Sequence, residues 1–260
     1  MDSELTLPLD VLLHIIEFLA AARYDRDSIK SLQILSQTCK YMVPICRKHL
    51  FSFLYLHSTS ISERFNDLLL ENPEIARYVR SLNYTVYNPI RDHTVTLNIL
   101  ELLKVHSPLK SIELSSPRLD WNDYPKSIRL SLLSLIELPT VTRLDLNSFT
   151  RFPATALSGC TNLINLQFGN LELTLPDSEF NHVISRSKIP TPTLLRIRRG
   201  TLGFAALLNS ASLHAGASGP INFSCVQIAF FEVEFRGDID NINKLIEVTR
   251  QLQYINITSE

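Results

Sequence analysis

A short apolar motif that returns along the chain limits its fold more than any other feature. Segments of the form L-x-x-L-x-L occur as Val79-x-x-Leu82-x-Tyr84, Leu109-x-x-Ile112-x-Leu114, Val141-x-x-Leu144-x-Leu146 and Leu163-x-x-Leu166-x-Phe168. They continue as Leu194-x-x-Ile197, Cys225-x-x-Ile228-x-Phe230 and Leu252-x-x-Ile255-x-Ile257. Their centres at 82, 112, 144, 166, 197, 228 and 255 are separated by 30, 32, 22, 31, 31 and 27 residues. Between them lie stretches with helical periodicity: Thr94 to His106, Ser127 to Leu138, Ser178 to Arg186, Gly203 to Leu213 and Ile239 to Leu252. A short strand followed by a helix, repeated at such steps, predicts a β/α solenoid with a short-stranded parallel sheet. No unit buries its own apolar face, and stacking closes it.

In pattern the repeats resemble the leucine-rich-repeat class, with about seven units over residues 57–260. They depart from it after the strand, where the usual Asn is replaced by Phe149, Leu171, Leu202 and Val233. Stacked strands place their outward residues in columns. One expected column reads Asn83, Glu113, Asp145, Gln167, Arg198, Ala229 and Asn256; the column two residues earlier reads Ser81, Ser111, Arg143, Asn165, Arg196, Gln227 and Tyr254. A merely solvated face would also be polar. Segregation favours recognition, with Glu113 and Asp145 in early units and Arg196, Arg198 and Arg199 in the fifth. Glu113, Arg143, Asp145, Arg196 and Arg198 are therefore the candidate target-binding residues. Arg199 sits where the pattern wants an inward apolar residue, so either the register slips there or the unit is distorted.

Ahead of the repeats, residues 1–56 predict three helices. Eight of the twelve residues from Pro8 to Leu19 are apolar, and Asp10, His14 and Glu17, at i, i+4 and i+7, share one narrow stripe. A helix with so wide an apolar arc is either deeply buried or shared with another protein. A second amphipathic helix is expected over Ser28 to Cys39 and a third over Ile45 to Leu56, with Pro44 interrupting or bending the chain between them. Asp238 and Asp240 are expected to cap the last helix of the chain.

Leu7-Pro8-x-Asp10-Val11-Leu12-x-x-Ile15-Ile16-x-x-Leu19 resembles the opening of an F-box, and Ser31-Leu32 through Cys39-Lys40, then Val43 to Phe51, is similar to its second half. Met42 stands where that family commonly has Trp. The resemblance implies a substrate-recognition subunit of a ubiquitin ligase of the Skp, cullin and F-box type. Such a protein binds a Skp-type adaptor, and through it a cullin, by its N-terminal helices and holds an unidentified target protein on its repeats. It implies adaptor contact for Leu7, Pro8, Val11, Leu12, Ile15, Ile16, Leu19, Leu32 and Cys39. The fold expected is thus α/β, a three-helix F-box-like unit followed by an irregular leucine-rich-repeat-like solenoid. The alternative is a repeat-based binding scaffold without a ligase role, in which Leu9 to Leu19 packs inward as an N-terminal cap.

Other classes find little support. The formal net charge of −1 lacks the basic excess of nucleic-acid binders. No run approaches the ~20 apolar residues of a membrane span, and the acidic start is unlike a secretory signal. Cys39, Cys46, Cys160 and Cys225 form no CxxC pair and read as reduced thiols of a cytoplasmic or nuclear protein. Phosphate-loop, dinucleotide, nucleophile-elbow and zinc-protease motifs are missing, and no two of the seven histidines have ligand spacing of three or four. No catalysis, cofactor or metal is expected.

Overall fold

The structure, a computed structural model, describes residues 8–22, 25–38, 40–85, 93–117, 119–174, 189–198, 204–205, 207–208, 220–233 and 236–259. Leu7, Cys39, Arg199, Leu202 and the helix expected at Ser178 to Arg186 lie outside them, as does most of the one at Gly203 to Leu213.

The chain is α/β, with eight parallel strands in one sheet: β1 (Phe53–Leu56), β2 (Ser81–Thr85), β3 (Ser111–Ser115), β4 (Arg143–Asn147), β6 (Asn165–Gly169), β8 (Leu194–Arg198), β9 (Ile228–Val233) and β10 (Tyr254–Ser259). Each pairs with the next of these in sequence. The two-residue strands β5 (Phe152–Pro153) and β7 (Leu173–Thr174) pair separately. The same two backbone bonds recur before the strands: Lys110 and Ser111 N–H both donate to Arg80 O, Thr142 and Arg143 to Lys110 O, Gln227 and Ile228 to Thr193 O. The repeat is therefore one of hydrogen bonding as well as of sequence.

Register corrects two of the expected units. Leu54, Leu82, Ile112, Leu144, Leu166, Leu195, Ala229 and Ile255 are mutually aligned. The inward pair of the fifth predicted unit is thus Leu195 and Ile197, with Pro192 in the leading position, and that of the sixth is Ala229 and Phe231. Both pairs are buried. The register of the fifth unit is shifted by two residues, because Leu195 supplies the apolar side chain that Ile197 was expected to supply. An eighth strand also precedes the seven expected. Phe51-x-x-Leu54-x-Leu56 carries the motif, and Leu54 and Leu56 are buried against β2. The third N-terminal helix accordingly stops at Leu50 rather than running to Leu56, so the helical unit ends before residue 56.

Three α-helices cover the first strands: α4 (Thr59–Glu71), α5 (Thr94–His106) and α6 (Lys126–Ile136). The first was not expected. Its start is signalled by Ser58, whose hydroxyl accepts from Ile61 N–H. Phe65 and Leu69, then Ile99, Leu100 and Leu103, then Ile128, Leu132 and Leu135 point into the core. Asn98 Nδ2 to Asn66 Oδ1 at 2.6 Å and Ser131 Oγ to Glu101 Oε1 at 3.2 Å tie neighbouring helices. Tyr84 tolerates its inward place because Thr96 hydrogen-bonds its hydroxyl, and burial pushes that phenol up to about 12.

Between β4 and β6 the 22-residue step leaves room for only a 3-10 helix, Ala154–Gly159. Aromatic rings fill the space. Trp121 meets Phe152 at 4.7 Å and Phe149 at 5.7 Å between centroids, and Tyr124 packs on Phe149 while bonding Ser116 Oγ at 2.7 Å. Left-handed Ser148 (φ 59°) and Asn170 (φ 52°) turn the chain so that Phe149 and Leu171, in the place of the usual Asn, drop into this core.

The N-terminal helices are α1 (Leu9–Ala21), α2 (Arg26–Thr38) and α3 (Met42–Leu50). They enclose a separate small core of Ile16, Leu32, Met42 and Cys46. Pro44 lies in the first turn of α3, where its missing N–H costs nothing, so it opens the helix instead of interrupting it. Asp25 caps α2 by accepting from Ser28 N and Oγ, bonds that hold its carboxyl below the usual range. The last helix, α7, spans Arg236–Val248, so the expected capping positions Asp238 and Asp240 fall inside it rather than ahead of it.

Phe149→Ala should cost about 3–5 kcal/mol, because three neighbouring rings pack against it and cannot collapse into the space. Urea unfolding monitored by Trp121 fluorescence measures it.

Candidate functional site

Two surfaces carry side chains that the fold does not need. The first is α1. Leu12, Ile16, Leu19 and Ala20 turn toward α2 and α3, whereas Val11, Ile15 and Phe18, at i, i+4 and i+7, form an exposed apolar stripe. Phe18 is 76% exposed. Ile29 and Ile34 of α2 and Leu9 and Leu13 of α1 add further exposed apolar surface. Of the residues expected to contact an adaptor, Pro8, Val11 and Ile15 are exposed and Leu12 and Leu19 are half-buried. Ile16 and Leu32 are corrected to core residues, at 1% and 3% exposure, since they hold the three helices together. Leu9, Leu13, Phe18, Ile29 and Ile34, which were not among the expected residues, are also exposed; in α1 the signal was the width of the apolar arc. A groove of about 310 Å³ separates Leu13 and Glu17 from Pro44, Ile45, Lys48 and His49. Burial, reinforced by Lys48 and opposed by Glu17, lowers the His49 imidazole below its ordinary value.

The second surface is the outer face of the sheet. Register places Tyr55, Asn83, Glu113, Asp145, Gln167, Arg196, Phe230 and Asn256 in one row. Arg196, not Arg198, therefore shares a row with Glu113 and Asp145, and Ala229 leaves the outer face for the core. Arg198 lies in the neighbouring row between Gly169 and Glu232, and Arg143 in the row on the other side, between Ser111 and Asn165.

Asp145 is the least ordinary residue of the row. It is 6% exposed, faces Glu113 across the strand pair, and accepts from Asn147 Nδ2 at 2.6 Å. Asn147 lies over Gly169, where any Cβ would overlap its Oδ1. Burial first and the Glu113 charge second push the Asp145 carboxyl up to about 6, against the pull of Asn147, Arg198 and Arg143. Gln167, also 6% exposed, has no hydrogen-bond partner among the described residues. The Arg196 guanidinium lies 4.7 Å from the centre of the Phe230 ring, which packs in turn on Tyr254. Arg198 Nε and Glu232 Oε1 are 3.9 Å apart. Arg196, Arg198, Phe230 and Glu232 line a cleft of about 200 Å³ that also takes in Asn256 and Thr258, while Asp145 and Gln167 lie outside it.

Cys46 and Cys160 are buried, and burial pushes the Cys160 thiol up to about 12, which leaves it unreactive. Among the described residues no three of His, Cys, Asp and Glu converge on a common metal position, and no helix is long and apolar enough to cross a membrane.

Asp145 yields a signed pH prediction. Its folded value of about 6 lies above the ordinary 3.8, so between about pH 4 and 6 the native state binds the proton more tightly than the unfolded chain. Stability from this group is fully present below pH 4 and is lost as pH rises through 6, by roughly 2–3 kcal/mol. Asp145→Asn should therefore be more stable than the parent at pH 8 and about equal at pH 4, as read from urea midpoints.

No family model matches the chain, and comparison with curated proteins and with solved structures finds no match either.

Proposed function

We propose that the protein is a noncatalytic recognition subunit of a ubiquitin ligase of the Skp, cullin and F-box type, acting in the cytoplasm or nucleus. In this reading residues 8–50 form a divergent F-box that binds a Skp-type adaptor, and the sheet with its covering helices is an irregular leucine-rich-repeat solenoid that holds a target protein. The supporting observation is the exposed stripe Val11, Ile15 and Phe18 on a helix whose opposite side already closes its own core. Exposed apolar side chains aligned along a helix mark a surface for another protein. The Leu-Pro start quoted above chooses the kind of protein. The mechanism is proximity: an adaptor at one end and a target at the other raise the effective concentration of target near the ubiquitin-charged enzyme. No group on this chain need touch the reacting atoms.

A second reading, the capped scaffold, draws on one contact. Helix α3 packs against the 3-10 helix Pro73–Tyr78, beside the edge strand β1. A cap would need that contact, yet it leaves the outer stripe of α1 without a purpose.

Ile15→Asp and Phe18→Asp should each reduce capture of a purified Skp-type adaptor by about tenfold or more. They should change stability by less than ~0.5 kcal/mol, since both side chains are exposed. Ile16→Asp should instead unfold the helical unit. Adaptor capture by Phe18→Asp at the parental level, or a parent chain that captures no adaptor and is monodisperse alone, would favour the scaffold.

A further inference from the structure

We propose that the outer row of the sheet binds an extended segment of the target that crosses the strands and carries a basic side chain and, four residues away, a carboxylate. The inference deepens the target-binding half of the proposed function and stands apart from adaptor capture.

The row is electrically divided. Glu113 and Asp145 sit side by side on β3 and β4, and like charges directly opposed across a strand pair are unfavourable unless a cation neutralises them. No ion pair to either carboxylate occurs among the described residues; Arg143 and Arg198 act on Asp145 only at a distance. Two strands further on, Arg196 lies over the Phe230 ring and has no carboxylate partner among the described residues. Between these poles lies Gln167, which is 6% exposed. Its side-chain amide carries both a donor and an acceptor, and a peptide backbone passing over it offers the complement of each. The row thus has a site for a cation, a site for an anion and an amide between them.

Spacing sets the ligand. From Glu113 on β3 to Arg196 on β8 is three strand intervals, about 14 Å at the usual separation of parallel strands. An extended chain rises about 3.3 Å per residue, so residues i and i+4 stand about 13 Å apart, and an even spacing points both side chains to the same face. Lysine or arginine at one end and aspartate or glutamate at the other match the two poles in charge and reach.

The test uses the full-length chain and fluorescein-labelled, acetylated and amidated peptides in an Ala/Ser host, read by anisotropy. One peptide carries Lys and Asp at i and i+4; the others carry Lys and Lys, Asp and Asp, or Lys and Asp at i and i+2. The first should bind about fivefold more tightly than the rest, the return from two partly desolvated charge pairs. Glu113→Lys should shift preference to the Asp and Asp peptide, Arg196→Glu to the Lys and Lys peptide, while Arg196→Lys keeps the parental order. Parental urea midpoints in each variant separate lost recognition from lost folding. A ranking unmoved by both charge reversals, or no binding of the mixed peptide at millimolar concentration, overturns the proposal. Adaptor capture measured on the same preparations reports separately on the ligase assignment: its loss with peptide selectivity intact would remove the ligase and leave this surface standing.

Discussion

The strands of the main sheet offer only two or three side chains each to the core, edge strand β10 only Ile255, and a strand of four to six residues is not stable alone. What holds the molecule together is the burial of those inward pairs against the pairs before and after them, from Leu54 and Leu56 through Leu144 and Leu146 to Ala229 and Phe231. Burying one such Leu, Ile or Phe is worth about 1.5–3 kcal/mol, and no unit realises this without its neighbours. The backbone bonds that recur before each main-sheet strand after β1 keep the pairs aligned. Steps near 30 residues leave room for an α-helix behind the sheet, as in α4, α5 and α6. The single step of 22 does not, and the Trp121, Tyr124, Phe149 and Phe152 cluster fills the space instead.

Because inward side chains carry stability, outward ones are free to carry recognition. Asp145 illustrates the conflict. A carboxylate that burial and Glu113 push up to about 6 lowers stability at neutral pH, whereas an amide in its place would not. Asn147, roofing Gly169 and bonding Asp145, fixes the carboxylate in that unfavourable place.

The N-terminal helices follow a different economy. Their core is the four side chains Ile16, Leu32, Met42 and Cys46 with a half-buried fringe, small for a unit of about forty residues. Met42, a flexible side chain suited to irregular gaps, closes that core. Support comes from the neighbouring 3-10 helix, and the exposed stripe of α1 leaves area over which a partner could add more.

Much of this was written in the chain. The L-x-x-L-x-L spacing determined short parallel strands with the right buried residues in the first four expected units, because an alternating strand and a stacked repeat leave few other ways to bury those leucines; in the seventh, Ile255 packs on the core but Ile257 is exposed on the edge strand. The excess apolar arc of α1 was equally legible. Local pattern did not settle register, since at Leu194-Leu195-x-Ile197 and Ile228-Ala229-x-Phe231 two frames bury apolar residues almost equally well. Only pairing with β6 and β10 selects Leu195 and Ala229, and with them moves Arg196 into the row of Glu113 and Asp145. Strand β1 hid for a related reason: Phe51 to Leu56 follows a helix without a break signal, and becomes a strand because β2 offers it an edge. Which side of α1 was core, Ile16 or Ile15, likewise depended on where α2 and α3 lie, a matter of tertiary packing that helical periodicity alone does not decide.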